Sequence, residues 1–238
     1  LLIMSSSLIP EIHLSEERKQ QILEELLNGS PPSPGSSSAA GTSYSDVRFE
    51  ANADYAGSDK KVYTFDKSLE RVKAAKFSRH PCPAEAFGLL IANLEGKLLP
   101  EQKAIADDML NSSGEWLSAA AERKGDTLTV YIDPEGLVWD GNRYVPQNFQ
   151  YSSKRDFSIA GMPSQHWVDL QQFPADFVTF LYTKPFAQLP QEMREGNGRA
   201  QVYLPPDGVI WPVGRGNVDW FVICCSYYGR ASRGCSPV

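Results

Sequence analysis

A thiol, an imidazole and a guanidinium meet in one short run, Arg79-His80-Pro81-Cys82-Pro83. Pro83 suits the first turn of a helix, which puts Cys82 at its N-cap. There the unpaired backbone N–H groups carry partial positive charge, and with Arg79 and His80 close by they would draw the thiol toward thiolate. A thiolate is a nucleophile or a redox centre, so Cys82, with His80 as its partner, is the candidate catalytic group. Two prolines stiffen the run, however, and no oxyanion-hole motif accompanies it. Glu192 and Glu195 offer an alternative as carboxylates acting in a cleft. The blander reading is a rigid corner between helices holding a small buried cysteine, and the sequence leans away from an enzyme.

Binding chemistry has a second source. The phrase Tyr131-Ile-Asp-Pro-Glu-Gly-Leu-Val-Trp139 recurs as Tyr203-Leu-Pro-Pro-Asp-Gly-Val-Ile-Trp211. Each copy reads as strand, Pro-acidic-Gly turn, strand, so the phrase predicts two similar β-hairpins, each presenting a Tyr and a Trp. Indoles on a shared face would frame a groove; indoles facing inward would fill a core. Two glycine-rich loops, Glu195–Arg199 and Val213–Asn217, each carry an arginine, and backbone N–H groups beside a guanidinium can hold a phosphate or carboxylate. Tyr131, Trp139, Tyr203, Trp211, Arg199 and Arg215 are therefore the expected ligand-binding residues. The function they suggest is a binding or regulatory protein whose aromatic, Arg-bearing sheet surface holds a partner protein or a small anionic ligand.

Neither glycine loop is a Walker A sequence or a dinucleotide fingerprint, so no cofactor is implied. The histidines His13, His80 and His166 form no HxxxH pair and no calcium-loop pattern is present, so no metal is implied either. A net charge of −6 and a pI near 5.2 argue against a general polyanion binder, which needs a basic excess to release counterions. A weak RNA contact through Arg194, Arg230 and Arg233 is the remaining nucleic-acid reading. No apolar run approaches the roughly 18–20 residues of a membrane-spanning helix. Leu1-Leu-Ile-Met4 lacks the basic start and long apolar core of a secretory signal. Cys82, Cys224, Cys225 and Cys235 match no disulfide framework, and reduced thiols in a cytoplasmic protein are expected.

The elements that must position these groups follow from periodicity. Ser15 caps an amphipathic helix ending at Asn28–Gly29, so residues 1–29 form an arm. Residues 30–46, rich in Ser, Pro and Gly, read as a linker, and 47–238 as a single domain. In that domain Asp66 caps a helix through Phe77, Pro83 opens a second that stops at Gly96, and Pro100 opens a third running to about Lys124 with Trp116, Leu117 and Ala120 inward. Thr127–Ile132 then alternates as a strand. Asp140-Gly-Asn142 reverses the chain into Arg143–Val145, and the segments around Phe149–Tyr151 and Phe157–Ile159 follow as strands. A short helix is expected from Ser164 to Leu170, a firmer one after Pro174, one or two turns near Pro190–Gly196, and buried strands at Gln201–Leu204 and Trp220–Cys225. The class is α+β: N-terminal helices, then a mostly antiparallel sheet with short helices inserted.

Overall fold

The structure, a computed structural model, describes residues 43–55, 62–112, 114–195, 199–216, 222–224 (backbone only) and 230–238. The expected N-terminal helix, the linker before Ser43, and the residues around the Cys224-Cys225 side chains lie outside them. The described residues belong to one compact unit, Ala39–Val238.

The fold is α+β. Strands β1 (Val47–Phe49) and β11 (Cys235–Pro237) pair with each other. A seven-stranded sheet takes β2 (Trp116–Lys124), β3 (Thr127–Ile132), β6 (Ser153–Ser158), β7 (Trp167–Asp169), β8 (Gln201–Tyr203), β9 (Ile210–Arg215) and β10 (Val222–Cys224), in the order β6-β3-β2-β9-β10-β8-β7. Every neighbouring pair is antiparallel except β10 and β8. Strands β4 (Glu135–Trp139) and β5 (Tyr144–Gln150) make a separate hairpin around the expected Asp140–Asn142 reversal. The helices are α1 (Phe65–Ala74), α2 (Pro83–Leu94), α3 (Pro100–Asn111), α4 (Ala175–Tyr182) and the short α5 (Gln191–Arg194).

Because strand side chains alternate, the main sheet has two different faces. Leu117, Ala119, Ala121, Leu128, Val130, Trp211 and Val213 face the main core, with Phe87 and Leu90 of α2, Met109 of α3, and Phe177 and Leu181 of α4. Trp116, Ala120 and Tyr131 face the other way, into a smaller cluster with Phe65 of α1 and with Leu137 and Tyr144 of the β4–β5 hairpin. Helix α2 is buried from Pro83 through Ala92, as expected of a helix apolar nearly all round. Its start and end follow the Pro83 and Gly96 signals.

Helix α1 opens at Phe65 after Thr64 and ends at Ala74, so Asp66 lies in its first turn and Phe77 beyond it; three larger expectations also change. The third helix stops at Asn111, and Trp116–Lys124 is the central strand β2. Eight consecutive residues of β2 are buried, so no polar alternation marks it, and its alanines favour a helix when read locally. Pairing with β3 and β9 overrides that preference. Likewise Ser164–Leu170 is no helix: Trp167–Asp169 pairs with Gln201–Tyr203, more than thirty residues away. Finally, neither copy of the Tyr…Trp phrase closes a hairpin. The first carries the chain out of the main sheet, from β3 to β4, which pairs with β5 alone. There Gly136 has φ +76 and a Cβ would sit 2.3 Å from the Gln147 carbonyl oxygen, so glycine is needed for both conformation and close approach. In the second copy β10 lies between β8 and β9, and Asp207 instead bonds the Gly125 amide at 2.6 Å.

The C-terminal strip ties these layers together. Tyr63, Asp54 and Gly114 exchange or accept backbone hydrogen bonds with Arg230, Ala231 and Ser232. Arg233 is fully buried and grips Glu115, also fully buried, at 2.9 and 3.0 Å; it also pairs with Asp108 and donates to the Ala51 carbonyl at 3.1 Å. Removing one partner of a buried pair strands the other charge in a low-dielectric interior. Arg233→Met is therefore expected to cost about 3–5 kcal/mol in urea unfolding, with much of the loss recovered when Glu115→Gln is added. A single-variant loss below 1 kcal/mol would contradict this.

Candidate functional site

The six expected contact residues do not converge. Trp211 is buried in the main core and Tyr203 packs against that same cluster. Tyr131 and Trp139 belong to the smaller cluster across the sheet. Tyr131 meets Phe149 edge-on at 5.2 Å and donates a hydrogen bond from its hydroxyl to Glu122 at 2.8 Å, and Trp139 leans on Tyr144 at 5.1 Å. Tyr203 instead contacts Trp167 at 5.2 Å near the sheet's β7 edge. Arg199 sits at that edge and pairs with Asp169 at 2.9 Å. Arg215 is not in a loop: it is the last residue of β9, fully buried, donating to the Gly216 carbonyl and the Ser112 hydroxyl at 2.8 Å each. The shared aromatic groove fails because strand alternation, together with the departure of β4 from the main sheet, sends the two indoles to opposite faces.

The Arg79–Pro83 corner is where the sequence places it, with Cys82 at the N-cap of α2. Its electrostatics run opposite to expectation. Burial pushes the Cys82 thiol up to about 12, and the carboxylate of Glu85 pushes the same way. Arg79 acts against this, but its guanidinium is engaged by Glu85 through two contacts at 2.6 and 2.7 Å. Glu85 also accepts from the Cys82 amide at 2.8 Å.

His80 is fully buried, and burial, with Arg71 and Arg79 nearby, lowers it to about 3, so it is neutral. Its Nε2 lies 2.7 Å from the Ser68 hydroxyl, while Nδ1 has no hydrogen-bond partner among the described residues. An orphaned buried N–H is rarer than an under-used acceptor, which places the proton on Nε2, donating to Ser68. With its proton on Nε2 the imidazole is no base toward Ser68, and its bare Nδ1 makes no hydrogen bond to Cys82. The corner is a rigid wall.

What the wall borders is a cleft of about 780 Å³. Cys82, Pro83 and Ala84 supply one side; Ile132, Asp133, Ser152, Ser153 and Arg155 of the β3–β6 pair supply the floor; Ala175, Asp176, Thr179 and Phe180 of α4, with Thr183 and Pro185, supply the far side. The register Ile132↔Ser153 and Val130↔Arg155 sets Arg155 on the main-core face beside Phe157. Its guanidinium lies 5.3 Å from the Phe157 ring centroid and 6.0 Å from that of Phe180. It pairs across the cleft with Asp176 at 3.3 Å, both side chains being half exposed.

At the inner end Asp133, at φ +50, accepts from Ser118 at 2.8 Å and Ser152 at 2.9 Å. Among the described residues no group of His, Cys, Asp and Glu could hold a metal ion, and no helix is long and apolar enough to cross a membrane. No protein-family model matches the chain, and neither a curated protein nor a solved structure matches it significantly.

Sequence reading missed Arg155, Asp176, Phe180 and the two serines. Asp133 lay inside the repeated phrase but read as a turn residue. Its turn role is real, and its carboxylate is placed by long-range contacts that no local pattern carries. Cys82 should behave as an inert thiol, because nucleophilic rate follows the thiolate fraction. Alkylation of Cys82 in the folded protein at pH 7.5 is expected to be at least ~100-fold slower than in the urea-unfolded chain, and to keep rising with pH toward 12. Peptide mapping after iodoacetamide treatment checks this; equal folded and unfolded rates would reinstate a thiolate.

Proposed function

We propose that this protein is a binding protein whose cleft between the β3–β6 strands and helices α2 and α4 takes a small ligand with an apolar body and an anionic group. The observation that carries the reading is Arg155, a cation half exposed at an apolar cleft and lying beside the Phe157 and Phe180 rings. A volume of about 780 Å³ falls within the roughly 300–1,000 Å³ typical of small-molecule sites. The present partner of Arg155 is replaceable: an exposed ion pair contributes at most about 1 kcal/mol. A ligand carboxylate, sulfonate or phosphate can meet the guanidinium bidentately while apolar groups lie against Phe180, Ile132 and Pro83.

This keeps the idea of an Arg-bearing sheet surface for an anionic ligand, with different residues. The thiol-enzyme alternative loses its support with the raised Cys82 thiol and the neutral, engaged His80. Cys82 and Cys235 are free, in keeping with a reducing, cytoplasmic setting.

The test uses 8-anilinonaphthalene-1-sulfonate, an apolar anion that fluoresces when sheltered from water. Single-site binding is expected, weakened about tenfold by Arg155→Gln, the equivalent of one lost charge-assisted hydrogen bond of about 1.5 kcal/mol. Thr179→Trp, which adds bulk to an exposed position on the cleft wall, should abolish it. Near-ultraviolet circular dichroism confirms that each variant keeps its packing. Binding unchanged in both folded variants would overturn the proposal.

A further inference from the structure

We infer that the ligand is a zwitterion whose cationic end, an ammonium group, seats on Asp133 while its anionic end meets Arg155. The inference rests on the reading of the cleft as a ligand site and narrows the class of molecule it takes. Asp133 lines the inner end of the cleft with its side chain about one-third exposed. Ser118 donates to Oδ1, which Arg79 Nε also faces, and Ser152 donates to Oδ2, so Oδ2 retains a further acceptor position. Those hydroxyls hold the carboxylate in place without cancelling its charge.

The groups packed around Asp133 leave it under-neutralised. Arg79 is the neighbouring cation, at 3.4 Å from Asp133 through Nε, yet its Nη atoms face Glu85 at 2.6 and 2.7 Å. One guanidinium thus serves two carboxylates, Glu85 and the partly exposed Asp133, and leaves one negative charge in excess. The two cysteines in this corner add no charge: Cys82 and Cys235 are both buried, and burial raises both thiols, which stay neutral.

Spacing sets the length of the ligand. The register pairs Val130 with Arg155 and Ile132 with Ser153, so the backbone of Asp133, the left-handed residue after the end of β3, lies roughly 7–10 Å beyond the level of Arg155. The wall between includes Ile132, Pro83 and Phe180. A cation and an anion joined by a methylene chain of about that length match both ends and the middle.

The test is calorimetric titration with 8-aminooctanoate, octanoate and octylamine. Wild-type protein is expected to bind 8-aminooctanoate at least tenfold more tightly than either singly charged analogue. Asp133→Asn, which keeps a carbonyl acceptor for Ser118 or Ser152, should bring 8-aminooctanoate down to the level of octanoate and leave octanoate unchanged. Equal affinity of wild type for octanoate and 8-aminooctanoate overturns this inference; if Arg155→Gln still weakens octanoate, the anion-binding reading survives it. No binding of 8-aminooctanoate overturns the inference as well. Octylamine bound as tightly as 8-aminooctanoate also overturns it, and insensitivity of both to Arg155→Gln would remove the anion-binding reading too. The wild-type comparison of the three ligands decides the matter even if the variant fails to fold.

Discussion

The fold depends on the burial of Arg233. A guanidinium with no exposure to water must find charge and hydrogen-bond partners, or the cost of desolvating it is prohibitive. It finds them on separate parts of the chain: Glu115 at the entrance to β2, Asp108 on α3, and the Ala51 carbonyl just beyond β1. Such a pair adds little net stability over an apolar packing, but the arrangement that satisfies it is narrowly defined. Glu115 precedes the central strand, so the position of Arg233 bears on the register from which β3 and β9 take theirs. Neighbouring residues conform to the same closure. Arg230 crosses so near β9 that a Cβ on Gly214 would lie 2.4 Å from its Cδ. A glycine in mid-strand is normally a weakness, and here it is a condition for the tail to lie down.

Closure of the tail also explains what the sequence could and could not convey. Local signals carry local structure: Cys82-Pro83 and Gly96 bound α2, Pro174 precedes α4, and Asp140–Asn142 turns β4 into β5. Elements defined by distant partners are silent. Trp116–Ala121 is a strand because β3 and β9 flank it and both of its faces are covered, conditions under which alanine, tryptophan and leucine reveal no period. Trp167–Asp169 is a strand because β8 arrives to pair with it. The repeated Tyr…Trp phrase was legible as two turns, and a turn alone does not specify which strands it joins.

The same distinction applies to the site. Aromatic residues stand out in a sequence because they are large and few, and here most of them serve packing. Trp116, Tyr131 and Tyr144, with Phe65, make a second core under the β4–β5 hairpin. That cover seals this face of the sheet around β2 and the end of β3. The other face is sealed by α2 and α4 over most of its area, and it opens where the β3–β6 end passes beyond the start of α2. Arg155 belongs to Ser153-Lys-Arg-Asp-Phe-Ser158, on an outer strand of the seven-stranded sheet. Charges on an edge strand ordinarily guard against further pairing, so nothing in its local sequence distinguishes the arginine from a protective one.

The Arg79–Cys82 corner links the architecture to the cleft. The apparent chemistry of its thiol and imidazole is removed by burial: the thiol stays protonated and the imidazole neutral. What survives burial is charge that has a partner. Arg79 is held by Glu85, whose carboxylate also caps the first turn of α2 through the Cys82 amide. Pro81 accepts from the amide of Ser118 on β2, and the hydroxyl of that serine bonds Asp133. The corner therefore transmits the position of the central strand to a carboxylate at the inner end of the cleft. A residue that read as a nucleophile in the sequence becomes part of the wall, while the aspartate in a turn becomes a charge fixed where a ligand can reach it.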